Sequence, residues 1–389
     1  MISKILNYSL NNSSYYRNLN IDCCEINNFP ILTKKIYNDN VKEILADSYT
    51  GLNINKLQKV RTSGTSGLFT EIYWAKEDKY LSNISLWRLR KKFYNVTPTS
   101  KYCSFYSSVN FEDTTSEDNL LLKKINSHHL SFSKYCLNEN NIMTLCNEIS
   151  RFSPEWLFVQ PSAIITFINI LEHKKVNLDL KNLKYIECFG EVLLSGAKKK
   201  IEEYFKVPIG NMYGTIELNT IGFTCPFGHM HILDKNVYVE QYNDNKILVT
   251  SLTNKATPMI RYLLDDYVIL EKNYNCKCGI NGDIIKELNG RINHTFQYEG
   301  ININMYEINS IVEYCNELLG NLIIEYCFYL ENKKIILYVN SEFLSWQNTI
   351  IKEFKKCFKK MFKLDSSINV FVDVHFEHDE DKKYVNYVE

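Results

Sequence analysis

The sequence predicts an α/β protein, with a large N-terminal domain of mixed sheets and helices over 1–291 and a small α+β C-terminal domain over 292–389. Two patterns carry this prediction. An apolar run at 183–189, an amphipathic segment with Ala197, Ile201 and Phe205 on one face, and a second run at 207–212 read as strand, helix, strand. That order implies a right-handed parallel crossover with its loops at the carboxyl edge of a sheet. After Gly290-Arg291 the order changes to a helix at 306–315, strands at 322–330 and 333–339, a helix at 346–362 and a strand at 368–376. That is a unit of ordinary domain size.

The elements before this change follow from local signals. Residues 1–55 read as short helices joined by polar loops, with Thr33 as a helix cap after the Pro30 turn. A loop of small residues at 61–67 leads into a strand at 71–75 and a long helix at 76–93. Residues 139–174 read as helical, with a break at Pro161-Ser162. The segments 246–252 and 258–262 read as strands of a more antiparallel region.

Composition narrows the class. Lys+Arg and Asp+Glu are 45 each, so the net charge is zero and nothing draws the chain globally toward nucleic acid or an anionic membrane. Apolar residues are 45% and charged residues 23%, which excludes wholesale disorder. No stretch approaches the roughly 18 apolar residues of a spanning helix. Residues 1–20 lack the compact apolar segment of a secretory signal, and the expectation is a cytoplasmic protein. Of the twelve cysteines, Cys103, Cys136, Cys146, Cys188, Cys315, Cys327 and Cys357 lie in apolar segments and read as buried, reduced thiols. Cys23-Cys24 carries no metal spacing. His128-His129 reads as a satisfied or exposed polar pair. The helix at 346–362 sets Ile350, Phe354 and Phe358 against Lys352, Lys355, Lys356, Lys359 and Lys360, a core-packing helix with a solvated face.

Four short motifs bear on chemistry. Thr62-Ser63-Gly64-Thr65-Ser66-Gly67 offers backbone N–H groups and hydroxyls that suit phosphate oxygens, but no lysine follows as in a P-loop. Tyr213-Gly214-Thr215-Ile216-Glu217 sets an aromatic, a glycine, a hydroxyl and a carboxylate at a strand end, where they suit a base, a phosphate and Mg²⁺. The segment 258–266 ends an apolar strand in Asp265-Asp266, carboxylates suited to ribose hydroxyls. Gly290-Arg291-Ile292-Asn293 marks the domain boundary.

In order and spacing these motifs resemble the adenylate-forming superfamily, and most closely its phenylacetate–coenzyme A ligase family with capsule-biosynthesis-associated relatives. Asn12-Ser13-Ser14-Tyr15-Tyr16-Arg17, Phe29-Pro30-Ile31-Leu32-Thr33-Lys34, Gln160-Pro161-Ser162 and Gly190-Glu191 extend the resemblance over nearly the whole chain. It implies an enzyme that joins a carboxylic acid to AMP from MgATP and passes the acyl group to a thiol, coenzyme A first, with a carrier protein or an amine as the other acceptors. An aryl acid is the first expectation. A second copy of the chain is an admissible partner, and a non-catalytic nucleotide-binding homologue is the alternative class.

Residue by residue, the resemblance assigns Thr62, Ser63, Gly64, Thr65, Ser66 and Gly67 to the ATP β,γ-phosphates, and Gly190 and Glu191 to the flanks of the adenine. Tyr213 stacks on the base or lines the acyl pocket, beside Gly214. Thr215 takes the α-phosphate, Glu217 takes Mg²⁺, Asp266 the ribose, and Arg291 ribose or phosphate. Asn293 occupies the hinge position. The late catalytic lysine falls on Lys382 or Lys383. The chain departs from the family pattern at Leu68-Phe69, where "K-P" usually follows the loop, and at Asp265, where a glycine is usual.

A metal centre is also expected. Cys225-Pro226-Phe227-Gly228-His229-Met230-His231 and Cys276-Lys277-Cys278-Gly279 supply the thiolates and imidazoles that Zn²⁺ prefers, in two halves about 45 residues apart. By resemblance the ligands are Cys225, His231, Cys276 and Cys278, with His229 a spare that is either an alternative ligand or a supporting group. A closed four-ligand site implies a structural zinc.

Overall fold

The computed structural model describes residues 2–21, 25–61, 70–106, 123–291, 295–298, 301–329, 334–362, 368–374 and 387–388. The chain divides into two compact units, one of residues 1–95 and 212–288, the other of 96–211 and 289–389. Among the described residues no helix is long and apolar enough to cross a membrane.

In the first unit, short helices (Ile2–Asn12, Ser14–Arg17, Lys34–Asp39, Val41–Ile44) wrap a core that holds Tyr16, Phe29, Leu32, Tyr37 and Trp74 together with Tyr213, Tyr262 and Val268. Thr33 caps its helix as expected, its hydroxyl accepting the Ile36 N–H at 3.2 Å. The long helix is Lys76–Tyr94, and Asn95 ends it in the left-handed conformation at φ 54°. Antiparallel strands follow: Asp266–Asn275, Asn281–Arg291, Met230–Ile232 and Asn219–Thr224 in that lateral order, and a three-stranded sheet of Val237–Gln241, Ile247–Ser251 and Tyr262–Leu264. The strand expected at 258–262 therefore begins four residues late. Residues 258–261 are held outside a regular ladder, by the Ser251 N–H donating to Met259 O at 2.9 Å and by contacts from the N-terminal segment.

In the second unit a parallel set of strands is built from Tyr102–Tyr106, His129–Ser133, Trp156–Val159 and Tyr185–Phe189, with Lys123–Ile125 antiparallel at its edge. One face buries Cys103, Phe105, Leu130, Phe132, Leu157, Val159, Ile186 and Cys188 under the helices Ile142–Phe152 and Pro161–His173. The seven cysteines expected in apolar segments are buried, and none of them is in a disulfide. On the opposite face the rings of His129, Tyr102, Trp156 and Tyr185 stack across four strands, with centroids 4.0, 4.7 and 5.6 Å apart. His129 is satisfied by the Ser104 hydroxyl at 2.7 Å, and His128 is exposed.

One expectation here needs correction. Residues 139–174 are not one broken helical stretch: the strand Trp156–Val159 separates two helices. Pro161 occupies the first helical position, where its missing N–H costs nothing, so it marks a start and not a break. Four apolar residues are too few for periodicity to tell strand from helix.

The C-terminal segment also belongs to this unit. Its helices Met305–Leu319 and Gln347–Phe362 and the strands Ile323–Tyr329, Lys334–Val339 and Asn369–Asp373 match the expected order. Helix Gln347–Phe362 buries Ile350, Phe354 and Phe358 and exposes all five lysines named above. The helix Ser195–Phe205 packs directly on Ile323–Tyr329. Lys199 Nζ donates to Gly320 O at 2.8 Å, and the buried Lys200 Nζ reaches Glu172 at 2.9 Å and Asn340 Oδ1 at 2.7 Å.

Candidate active site and metal centre

The first unit brings two of the sequence motifs together. The strand Ile209–Thr215 does not stop before Tyr213-Gly214 but runs through them, and it turns back at once into Asn219–Thr224. A Cβ on Gly214 would lie 2.4 Å from the Asn219 carbonyl oxygen, so the hairpin itself demands glycine there. The Leu218 N–H donates to Thr215 Oγ1 at 3.2 Å, which closes the turn and leaves the hydroxyl its own O–H to give. That turn presents Glu217, half-buried. Its far side is pinned by Asn219 Nδ2, which donates to Ser82 Oγ at 2.6 Å on the helix Lys76–Tyr94.

The 258–266 motif meets this turn at two points. Tyr213 Oη donates to Asp266 Oδ2 at 2.7 Å, and Tyr262 Oη stands 3.5 Å from Glu217 Oε1. Burial, and then the charge of Glu217, raise the Tyr262 phenol far above its ordinary value, so it stays protonated and faces the carboxylate as a donor. Asp265, the residue that replaces the usual glycine, is paired with Lys246 at 3.0 Å. That ion pair offsets an added negative charge beside Asp266.

The N-terminal motifs have a positioning role. Leu32 N donates to Arg261 O and Leu263 N to Leu32 O, both at 3.0 Å, while Tyr16 Oη donates to Pro258 O at 3.0 Å. Arg261 adopts φ 51°, a costly value for a residue with a side chain, and three groups hold it. Its N–H donates to Thr250 Oγ1 at 3.0 Å, its Nη1 to Phe29 O at 2.9 Å, and its Nε lies 3.3 Å from Glu240.

In the second unit Gly190-Glu191 and Gln160-Pro161-Ser162 form one feature. The Glu191 carboxylate accepts from the Ser162 N–H at 3.0 Å and from the Ser162 hydroxyl at 2.9 Å, at the start of the helix Pro161–His173. A carboxylate there satisfies an orphan donor and complements the helix dipole. Thr62, Ser63, Gly64, Thr65, Ser66, Gly67, Asn293, Lys382 and Lys383 lie outside the described residues. Arg291 ends the strand Asn281–Arg291, and its side chain also lies outside them.

Sequence reasoning did not single out Tyr262 or Lys246 as site residues. Tyr262 lies inside the quoted motif, and its partner Glu217 is 45 residues away, so the pairing had no local signal. Lys246 sits on a strand edge where a lone lysine reads as solvated.

The metal-type residues converge within the first unit. One ligand atom from each of Cys225, His231, Cys276 and Cys278 lies within 4.8 Å of all the others. Cys225 and Cys276 sulfurs are 3.7 Å apart, and Cys278 Sγ is 3.3 Å from His231 Nε2. A tetrahedral ion at 2.3 Å from sulfur and 2.0–2.1 Å from nitrogen sets S···S at about 3.8 Å and S···N at about 3.5 Å, so this donor set fits zinc. Two tight turns shape it: Gly228 N donates to Cys225 O at 2.9 Å and Gly279 N to Cys276 O at 3.0 Å, with φ 83° and 81° that glycine adopts without strain. Burial raises the Cys276 thiol, but the Cys278 N–H, the neighbouring thiols and the Lys92 ammonium bring it below its ordinary value. Burial, and then the nearby His229 and Lys92, lower His231, which favours the neutral ligating imidazole.

Comparison with known proteins follows the same lines. No family model matches the chain. The indoleacetate–lysine synthetase of Pseudomonas savastanoi is 28% identical over 220 residues, 54% of this chain; the chain spans about half, 52%, of that relative's length. The crystal structure of a 2-hydroxyisobutyryl-CoA ligase in the postadenylation state, in complex with R3-HIB-AMP, matches all of this chain and 88% of its own, with a TM-score of 0.71 at 13% identity. An acyl acid amido synthetase in complex with 2,4-DB matches 87% of this chain and 76% of its own, with a TM-score of 0.56 at 13% identity. An anthranilate CoA ligase in complex with anthranoyl-AMP matches 84% and 65%, with a TM-score of 0.52 at 13% identity. The chain has the fold of the adenylate-forming acid ligases.

Proposed function

We propose that this chain activates a small carboxylic acid as its adenylate with MgATP, releases pyrophosphate, and then transfers the acyl group to an acceptor. The observation that supports this reading most is the pair of contacts Tyr213–Asp266 and Tyr262–Glu217 on an adenylate-forming fold. They gather in one unit the aromatic, hydroxyl and carboxylate groups that such chemistry needs. Asp266, oriented by Tyr213, takes the ribose hydroxyls. Thr215 donates to the α-phosphate, and Glu217 holds the Mg²⁺ that accompanies ATP. Thr62 to Gly67 take the distal phosphates, and Gly190 with Glu191 borders the adenine. Arg291 takes ribose or phosphate, and Lys382 or Lys383 contributes a charge to the transferring α-phosphoryl group. The protein's part is positioning and charge stabilisation more than covalent chemistry. By the resemblance, residues 292–389 supply the lysine and then the acceptor channel, a gating role.

Within this class the motif set points to the phenylacetate–coenzyme A ligase branch, an aryl acid and coenzyme A as acceptor. A second reading, transfer to an amine, draws on the curated relative, which is named for joining indoleacetate to lysine. Cys225, His231, Cys276 and Cys278 are read as a zinc site, on the fit of their spacing to a tetrahedral ion. When bound, the ion supplies a crosslink between distant segments and no open position for substrate.

The test is acid-dependent exchange of pyrophosphate into ATP across a panel of aryl and aliphatic acids. Active acids are then offered coenzyme A, a phosphopantetheinylated carrier protein, or amino acids, and the products are weighed. Silence across the panel refutes adenylation. Exchange without transfer to any thiol, but with amide formation, selects the second reading.

A further inference from the structure

Four residues fill a tetrahedron, and His229 is left beside it. Its backbone carbonyl accepts the Cys225 N–H at 2.9 Å, so the first metal turn fixes where it stands. Its Nδ1 is 3.4 Å from Cys276 Sγ, and its Nε2 is 2.8 Å from Tyr274 Oη; the two rings lie 4.7 Å apart and tilted by 43°. Both partners sit two residues from a ligand, His229 from His231 and Tyr274 from Cys276. On extended chain that spacing returns a side chain to the same face.

We infer that Tyr274 and His229 form a hydrogen-bond relay that aims an N–H at the Cys276 sulfur and makes His229 a positioning residue of the metal centre, not a ligand. This rests on reading the four residues as a zinc site. Of the two neutral tautomers of His229, only one is consistent with a metal-bound sulfur. A ligating thiolate accepts and cannot donate, so Nδ1 must carry the proton. Nε2 then holds a lone pair, and the Tyr274 hydroxyl donates to it. In the opposite arrangement the Nδ1 lone pair would face the sulfur lone pairs.

The relay has an electrostatic purpose. Three thiolates and a neutral imidazole around a divalent ion leave one net negative charge in a largely buried place. The Cys278 N–H already points at Cys276 Sγ and the Ile280 N–H at Cys278 Sγ. Lys92 Nζ donates to Cys278 O at 3.1 Å, which brings a full positive charge to the second turn. His229 adds a side-chain donor to the sulfur at the centre of this arrangement. Donors of this kind orient a ligand, and their loss typically weakens metal affinity about 10- to 100-fold without removing the ion.

The experiment uses the full chain loaded with zinc, and in parallel with cobalt(II), whose absorption reports the number of bound thiolates. The parent is compared with His229→Ala, Tyr274→Phe and His231→Ala. The expected result is one metal per chain in the first two variants and a tetrahedral cobalt spectrum whose thiolate band is shifted but not reduced by a ligand. Release to a chromophoric chelator should be faster by about 10-fold or more for His229→Ala and by less for Tyr274→Phe. His231→Ala should lose stoichiometric metal. Release rates equal to the parent in both relay variants overturn the relay. Loss of metal in His229→Ala with retention in His231→Ala makes His229 the ligand and overturns it too. A parent that takes up neither zinc nor cobalt overturns the zinc reading itself. Should His229→Ala fold poorly, Tyr274→Phe keeps the ring and removes only the hydroxyl.

Discussion

Replacing Gly196 by alanine tests how the C-terminal segment is seated on the helix Ser195–Phe205. Helix propensity alone predicts stabilisation, because alanine is favoured over glycine inside a helix by up to about 1 kcal/mol. The packing predicts the opposite. A Cβ at Gly196 would stand 2.0 Å from the Ile323 carbonyl oxygen, 2.6 Å from its carbonyl carbon and 3.2 Å from Asn321 O. All three are backbone atoms, so no side chain can swing aside. Restoring ordinary contact requires helix and strand to part by about 1.4 Å in that direction. Such a shift breaks Ser195 N to Glu313 Oε1 (3.0 Å), Lys199 Nζ to Gly320 O (2.8 Å) and Lys200 Nζ to Asn340 Oδ1 (2.7 Å). Overpacking of this kind costs about 1–3 kcal/mol, and the three hydrogen bonds, two part-buried and one exposed, add less than about 1 kcal/mol each. A net loss of about 3 kcal/mol is expected, or a fall in Tm of roughly 6–12 °C for a unit of this size. Thermal unfolding by circular dichroism measures it, with hydrogen exchange over Ile323–Tyr329 as the local readout. A variant as stable as the parent, with unchanged protection in that strand, would refute the reasoning.

Three further outcomes are expected. Burial raises the Glu313 carboxyl above the ordinary range even though it accepts the Ser195 N–H. The folded state then binds more protons than the unfolded one, so this group's contribution falls as pH rises from about 4.3 through the raised value. Glu313→Gln keeps an acceptor and should flatten that part of the Tm–pH curve; a slope equal to the parent's counts against it. Glu217→Gln should lower acid-dependent pyrophosphate exchange by about 100-fold or more with an unchanged Tm, since an amide cannot replace a charge on Mg²⁺. Near-parent exchange would move the metal ligand elsewhere. Cys276→Ser should reduce zinc below about one per chain and lower Tm, because an ion bound only to the folded state adds its binding free energy to folding. Metal analysis and thermal melts on the same preparation decide this, and zinc retained at parent level would remove Cys276 from the ligand set.

The parts of this protein that were legible in the sequence share one property: their signal is local. The helix Lys76–Tyr94, the order of elements from 305 to 373 and the Thr33 cap depend on periodicity and on residues a few positions apart. The Cys225, His231, Cys276 and Cys278 set was legible for another reason, since thiol and imidazole chemistry narrows the partners before any fold is known. The strand Trp156–Val159 was hidden because four residues between two helices show no period. The turn at Arg261 was hidden because its support comes from residues 16, 29 and 32, more than 200 positions away. Glycine was a partly misleading signal. Gly214 reads as room for a phosphate, yet the Asn219 carbonyl already requires it.

The helix Lys76–Tyr94 shows how the first unit keeps two distant features in register. The strand Asn219–Thr224 starts just after Glu217 and ends just before Cys225. One helix grips the structure at both ends of that strand. Asn219 Nδ2 donates to Ser82 Oγ and to Asn83 Oδ1, at 2.6 and 3.2 Å, and Lys92 donates to Cys278 O beside the Cys225, His231, Cys276 and Cys278 cluster. Ten residues of helix, from Ser82 to Lys92, rise about 15 Å. Five steps of strand, from Asn219 to Thr224, span about 17 Å. The two lengths agree within one residue's reach, and just past the Lys92 grip Tyr94 packs edge-on against Phe223 at 6.2 Å. Ser82, Asn83 and Lys92 belong to none of the motifs named in the sequence. Their spacing makes sense only once the strand is laid beside them: the same rod that braces the Glu217 turn also fixes the turn of Cys276 and Cys278.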